Sequence, residues 1–427
     1  MIPEFEGVDE AIAPLVNWRL RQGYPTRVLV MGPRANNVEV RNAIREAYEE
    51  FDPPPEHIVL IGDADLVHAD FMLPTWDVGH AYMWETDYKY VLLEGDDLLP
   101  EAAVARISAR SLAELRRVVE KILRYESDPY MEDTDWYLQA ALMANDDRTG
   151  YSSIYLQRWL RKMLLEMGFT QVDTFYFIHD NPISDRNFIL NNINGGISLF
   201  NYRGWGSFNG AWAVGDARLL HNGQMLPLLI LPTCNTCDFA DHILYPHSYA
   251  EDFLWAQNGG AIGTIGSSGF THTNYNNVLD GGILNGLYRD QAYQIGWALN
   301  LGKIELYRHF GLFNDVPDPQ VQDLLTWEAH AYQYNLIGDS GTELWTDIPQ
   351  EVRVEHDARM TIGGNRFTVN VFDREDDSPQ PGVTVTLVRS GEILRADETA
   401  ADGTVEFTFT PGELEAGAVQ LTATRHD

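Results

Sequence analysis

Apolar positions recur at helical spacing in Val8 to Gln22 and in Asn37 to Phe51. Short continuous apolar runs, Arg27 to Met31 and His57 to Gly62, alternate with them. Ser111 to Tyr125 is the plainest helix: Leu112, Leu115, Val118, Val119, Ile122 and Leu123 share a face, and Ser111 and Glu114 have capping-box spacing. After a polar linker, Ser127 to Asp135, the pattern repeats. Predicted strands are Tyr137 to Met143, Thr174 to Phe177, Ile197 to Tyr202, Leu226 to Pro232 and Ala261 to Ile265. Predicted helices are Ser153 to Met167, Ser248 to Gln257, Leu301 to Phe313 and Leu324 to Leu336. Uninterrupted apolar strands between helices predict parallel sheets in both blocks.

Beyond Pro349 the texture changes to short alternating strands, Val352 to Val354, Arg366 to Phe372, Thr384 to Arg389, Thr404 to Phe409 and Val419 to Ala423. Turn signals such as Ala401-Asp-Gly403 and Pro411-Gly412 separate them. The expected fold class is therefore α/β, with tandem parallel α/β subdomains at 1–130 and 131–347. An all-β immunoglobulin-like sandwich follows at 350–427.

Two of the apolar runs end in polar turns, Asn201 to Ser207 and Leu231 to Thr236. Parallel sheets display reactive groups at the carboxyl ends of their strands, so the second turn offers Cys234 as a nucleophile. The competing reading is a buried cysteine packed as a small hydrophobe. The tip of the first turn is Trp205, whose indole donates one N–H and accepts nothing.

Composition narrows the classes. Hydrophobic residues make up 44% of 427 and aromatics 11%, a globular balance for two or three cores. The formal net charge of −33 argues against nucleic acid and anionic membranes as partners and would attract a cationic one; it also fits a merely well-solvated surface. Two cysteines, Cys234 and Cys237, exclude a disulfide framework, and zinc would need His242 and His247 as further ligands. No apolar run reaches transmembrane length, and the first residues carry no signal-peptide pattern.

Four motifs in order, Asp87 to Asp97 running into Ala105 to Arg110, Asn201 to Gly206, Pro232 to Thr236 and Tyr334 to Asp339, resemble the gingipain family of cysteine peptidases, bacterial relatives of caspases. The resemblance spans about Val8 to Trp345 and includes the trailing sandwich. It implies that Cys234 is the nucleophile and that the Gly206 and Cys234 amides form an oxyanion hole. It places Asp147 where a carboxylate orients the catalytic histidine, and Ser267 to Asn277, with Ser267, Ser268 and His272, on a wall of the substrate pocket. Ser153 falls in the stretch Tyr151 to Ile154, where trypsin-like members carry an acid. Trp205 stands where the histidine is expected. The resemblance also implies calcium as a structural ion, with Glu94, Asp96 and Asp97 as ligands, no required cofactor, and polypeptide as the partner. It further implies secretion or surface display of a longer protein, since both ends look clipped.

Three readings follow. In the first, the domain is a pseudo-peptidase, because an indole cannot shuttle a proton. In the second, another histidine serves; of His221, His242, His247 and His272, the last is best placed. In the third, the chain is a non-enzymatic module with Trp205, Phe208 and Trp212 as an exposed docking patch. Asp63, Asp65 and Asp87, with Asp96 and Asp97, form acidic clusters at strand ends, to be read equally as solvated loop acids or, by the resemblance, as oxygen ligands for calcium.

Overall fold

The computed structural model spans the 427 residues and describes all except 65–70, 80–83, 146–149, 178–181, 241–246, 314, 322, 361–362 and 364–365. The fold divides into two units, one of residues 1–11 and 29–347, the other of 12–28 and 348–427.

The first unit contains strands β1 (Ile2–Pro3), β2 (Val30–Met31), β3 (His57–Ile61), β4 (Trp76–Asp77), β5 (Glu85–Thr86) and β6 (Ala103–Ile107). The second block adds β7 (Gln139–Asn145), β8 (Gln171–Phe177), β9 (Leu199–Arg203), β10 (Leu228–Leu231), β11 (Gly263–Ser267) and β12 (Tyr334–Ile337). β1 pairs with β2 and β4 with β5. The remaining eight form one sheet in the order β3-β6-β12-β11-β10-β9-β7-β8. Neighbours in it are parallel except at β11–β12. The separate parallel sheets expected for the two blocks are instead two parallel arrays in one sheet, running in opposite directions; β12, which comes from residues 334–337, runs with β3 and β6 and forms the seam.

The expected helix Leu324 to Leu336 is corrected: the helix is Thr326–Gln333, and β12 follows it directly. Tyr334–Ile337 is a four-residue run whose periodicity cannot separate helix from strand, and pairing with β11 decides the outcome. β6 and the helices Pro182–Gly195 and Thr273–Tyr288 are also additions to the sequence reading. The last packs closely on Ile295–His309: a Cβ at Gly282 would lie 2.9 Å from the Gly302 Cα, so small residues set that approach.

β9, β10 and β11 are buried along their whole length. Phe200, Tyr202, Leu229 and Leu231 share a core with Phe208, Trp212 and Phe253. In-register pairing of Leu228 with Leu199 and Gly263 brings the carboxyl ends of all three strands to one edge of the sheet. Among the described residues no helix is long and apolar enough to cross a membrane.

Asp63 and Asp87 are not solvated acids; both are buried, and Asp65 lies outside the described residues. Arg106, fully buried on β6, explains Asp87. Its Nε and Nη2 donate to the two Asp87 oxygens at 2.8 and 2.7 Å, and its Nη1 donates to Gly62 O and Leu73 O at 3.1 and 2.8 Å. Burial of both charges is tolerated because the fork is bidentate and the remaining N–H groups are bonded.

The second unit holds β13 (Val352–His356), β14 (Arg366–Asp373), β15 (Thr384–Arg389), β16 (Glu392–Glu398), β17 (Thr404–Thr408) and β18 (Gln420–Thr424). They form two antiparallel sheets, β13-β14-β17 and β16-β15-β18. Alternate residues of both, including Phe367, Val369 and Val371 on β14 and Val385 and Leu387 on β15, fill one core. Arg21 Nε, in the same unit, donates to Thr422 Oγ1 at 3.1 Å.

Replacing Asp87 by Ala strands the buried Arg106 guanidinium. The expected loss is about 3–5 kcal/mol of first-unit stability, read as a lower urea midpoint. Asp87→Asn should lose less because it keeps one acceptor.

Candidate active site

β9 ends in Arg203, and the chain turns through Gly204, Trp205 and Gly206. β10 ends at Leu231, and the chain turns through Pro232 to Thr236. The turns are stitched side by side: Thr233 Oγ1 donates to Gly204 O at 2.7 Å, and Arg203 Nη1 donates to Pro232 O. A Cβ on Gly206 would stand 3.4 Å from Cys234 O and 3.9 Å from Cys234 Cβ, so Gly206 and Cys234 adjoin. Neither the Gly206 nor the Cys234 amide donates to an acceptor among the described residues. That leaves two N–H donors at adjoining turns, a form suited to an oxyanion.

Cys234 is half-buried. Its sulfur accepts from Thr271 N at 3.2 Å and lies 3.7 and 3.6 Å from Thr271 O and Oγ1. Among the described residues every hydrogen-bond partner of this sulfur belongs to Thr271. Asn235 follows with φ 53°, a left-handed conformation that asparagine tolerates, and Asn235 Nδ2 donates to Asp238 Oδ2 at 2.8 Å. Cys237 is fully buried, and burial pushes its thiol pKa well up, so it packs rather than reacts.

Trp205 is half-buried, and its backbone is held at both ends. Its N–H donates to Asn145 Oδ1 at 3.2 Å, and its carbonyl accepts from Tyr202 OH at 2.7 Å. A side chain at 204 would collide with this pair, its Cβ falling 2.5 Å from Asn145 Oδ1 and 2.6 Å from Tyr202 OH; glycine is required there. The expected aromatic patch is corrected. Phe208, at φ 49°, turns inward to stack on Tyr202 at 4.7 Å, and Trp212 lies flat on Phe253 at 5.6 Å, both buried.

The wall that carries Thr271 begins at β11. Ser267 and Ser268 are buried and turned inward, donating to Gly269 O at 3.1 Å and Glu85 O at 2.6 Å. His272 is half exposed. Its backbone N–H donates to His330 Nε2 at 2.8 Å, and its ring faces Asp318 at 3.8 Å. His247 pairs with Asp252 at 3.2 Å and His221 is exposed; Asp147 and His242 lie outside the described residues. Ser153 is buried on the first turn of the helix Ser152–Glu166, its hydroxyl without an acceptor among the described residues. Glu94 accepts from Tyr48 OH at 2.9 Å, Asp97 caps Leu99 N at 2.9 Å, and Asp96 sits between them. Among the described residues no group of three or more His, Cys, Asp or Glu is placed to hold a metal ion.

Beneath the turns lies a polar layer that the sequence reading missed. Arg203 is fully buried. Its Nε and Nη2 donate to Asn277 Oδ1 at 3.1 and 2.8 Å, and Nη2 also donates to Thr273 O at 3.3 Å. Gln157 Nε2 donates to Asn201 Oδ1, and Asn201 Nδ2 donates to Asp280 Oδ1 at 2.6 Å. Burial pushes the Asp280 carboxyl up to about 7 despite Arg203 and Asn201. The available signal was an arginine and an asparagine, Arg203 and Asn201, within an otherwise largely apolar strand, a placement that demands partners.

A half-exposed cysteine at the end of one parallel strand, beside two amides that meet no acceptor among the described residues, is the arrangement of a cysteine hydrolase. The chain belongs to Peptidase family C25, whose profile matches residues 3–345. It is similar to gingipain R2 of Porphyromonas gingivalis, with 23% identity over 418 residues, covering 93% of this chain and 53% of that protein. It is also similar to Lys-gingipain of the same organism, with 25% identity over 448 residues, covering 97% of this chain and 24% of that protein. The chain thus spans about half the length, or less, of these relatives. The crystal structure of the Arg-specific cysteine proteinase gingipain R superposes with a TM-score of 0.81 at 20% identity, covering 100% of this chain and 94% of that one. The complex of the pro- and mature domains of gingipain RgpB from Porphyromonas gingivalis gives 0.81 at 20%, with 100% and 96% covered. The fold is that of a gingipain-like cysteine peptidase domain.

Asp280 carries a pH prediction. Its folded carboxyl holds a proton up to about 7, whereas the free side chain releases it near 3.8. Between those values the folded state binds more protons, so stability falls as pH rises through that window and levels off above it. Asp280→Asn should flatten the fall, measured as the difference in urea midpoint between acidic and mildly alkaline buffer.

Proposed function

We propose that this domain holds an extended polypeptide against Cys234 but cleaves it poorly. The observation that carries the reading is the sulfur's surroundings: its hydrogen-bond partners among the described residues are atoms of Thr271, and the neighbouring turn presents an indole. Cysteine peptidases need an imidazole to take the thiol proton and later to pass it to the leaving amine. Trp205 donates a single N–H and accepts none, so it does neither. The donors that would steady an acyl oxyanion remain at Gly206 and Cys234, and the scaffold keeps its capacity to bind. In this reading Trp205 fills the histidine position of the family, and the domain belongs to an exported or surface-displayed protein.

A second reading assigns the proton to His272, which follows Thr271 directly. Against it, the His272 ring faces Asp318 and the His272 backbone is anchored on His330.

The Trp205→His variant is expected to hydrolyse peptides faster than the parent by about 10²–10⁴-fold, the usual worth of a general acid/base. Cys234→Ser should abolish that gain, and His272→Ala should leave the parent's residual rate unchanged. Ordinary turnover by the parent chain that vanishes in Cys234→Ser, measured on a peptide library, would refute impaired cleavage. Loss of that turnover in His272→Ala would select the second reading.

A further inference from the structure

The loop after the helix Ile295–His309 carries three strongly exposed apolar side chains, Leu312 (59%), Phe313 (75%) and Val316 (62%). Apolar groups gathered on one exposed segment mark contact surfaces, whereas scattered ones do not. The loop is tied down. Tyr275 OH donates to Asp315 Oδ1, and Asp315 Oδ2 accepts from Trp327 N at 2.7 Å. Val316 O accepts from Thr326 N at 2.9 Å and Thr326 Oγ1 at 3.0 Å, while the Tyr275 ring stacks on Phe310 at 4.0 Å. These ties fix the loop to the start of the helix Thr326–Gln333 and, through Tyr275, to the first turn of the helix Thr273–Tyr288. That helix starts immediately after Thr271, the residue that touches the Cys234 sulfur. The apolar loop therefore continues the wall of the candidate active site.

The acids beside it are already engaged. Both oxygens of Asp315 are bonded as described. Asp318 Oδ1 accepts from Gln320 N and Val321 N at 2.8 and 3.0 Å, and its Oδ2 faces His272. The loop thus offers hydrocarbon to a visitor, in a chain whose formal charge of −33 otherwise favours cations.

We propose that Leu312, Phe313 and Val316 form an accessory subsite for an apolar side chain of the polypeptide lying in the cleft, several residues from the one opposite Cys234. The inference rests on reading the cleft as a polypeptide site. Thr271, His272 and the Asp318 that faces it lie between the sulfur and the loop, so the subsite takes a side chain away from the residue opposite Cys234. Binding energy gained this far from the reacting atoms needs no proton transfer, so it holds a ligand even where cleavage is slow.

Disulfide capture tests this on the whole chain. Peptides of glycine and serine with a central cysteine are presented as mixed disulfides with mercaptoethanol. Exchange with Cys234 then fixes the peptide centre at the sulfur, and buried Cys237 does not compete. A single phenylalanine is moved along the peptide on either side. At one position away from the centre, and on one side of it only, it should raise the reductant needed to release the peptide by about fivefold or more. Combining Leu312→Ser, Phe313→Ser and Val316→Ser should erase that gain while the phenylalanine-free peptide is captured as before. Should the triple variant unfold, Phe313→Ser alone, at the most exposed position, gives the same contrast. A gain that is equal at all positions, survives these substitutions, or is larger for arginine than for phenylalanine overturns the proposal. Capture of no peptide while iodoacetamide still alkylates Cys234 overturns the polypeptide reading of the cleft, and this inference with it.

Discussion

The buried guanidinium of Arg203 is the interaction on which the site depends. One side chain joins three elements: its own strand β9, the Pro232 carbonyl that opens the Cys234 turn, and the first turn of the wall helix through Thr273 O and Asn277. A fully buried cation costs several kcal/mol in desolvation unless its donors are matched. Here carbonyl and amide oxygens match them, with the Asp280 carboxylate close enough to act on the charge. Satisfying Arg203 therefore requires the two turns and the wall to stand where they do. Local stability and site geometry are one constraint.

Beside that constraint stands the turn that carries residue 205. The Trp205 backbone is tied to Asn145 and Tyr202, and Gly204 keeps the space those two groups need. These backbone ties hold the turn in place beside the Cys234 turn. The Cys234 thiol stays half-exposed while Cys237, three residues on, is sealed in the core.

The sequence exposed whatever local pattern could express. The second-block strands other than β12, the capped helix Leu112–Ser127 and the sandwich strands other than β16 appear near where periodicity placed them, because burial on fixed faces writes itself into spacing. The Cys234 turn was legible from an apolar run ending in polar residues. What stayed hidden depends on partners distant in sequence. β12 is a strand because β11 and β6 receive it, not because of its four residues. Asp87 and Asp63 looked like solvated acids because nothing local shows that Arg106 reaches Asp87 and the carbonyls around Asp63. Phe208 and Trp212 looked exposed because the inward turn at Phe208 comes from a left-handed backbone and a stacking partner six residues back. Thr271, the residue that meets the sulfur, had no distinguishing feature within a stretch already read as wall.

The seam also accounts for the firmness of that wall. β12 follows the helix Thr326–Gln333 without a loop, so the helix bearing His330 is anchored directly to the sheet. The His272 backbone can only donate, so His330 Nε2 must accept, and its proton sits on Nδ1, bonded to Thr326 O at 2.7 Å. Burial lowers the pKa of His330 to about 3, which keeps the ring neutral and its acceptor available through the physiological range. Folded stability from this group is therefore present above the ordinary histidine pKa and lost as pH falls toward 3. Thr271 is consequently held over the sulfur by a contact that neutral pH changes do not loosen. The firmness of this wall is therefore independent of the protonation events open to Cys234 near neutral pH.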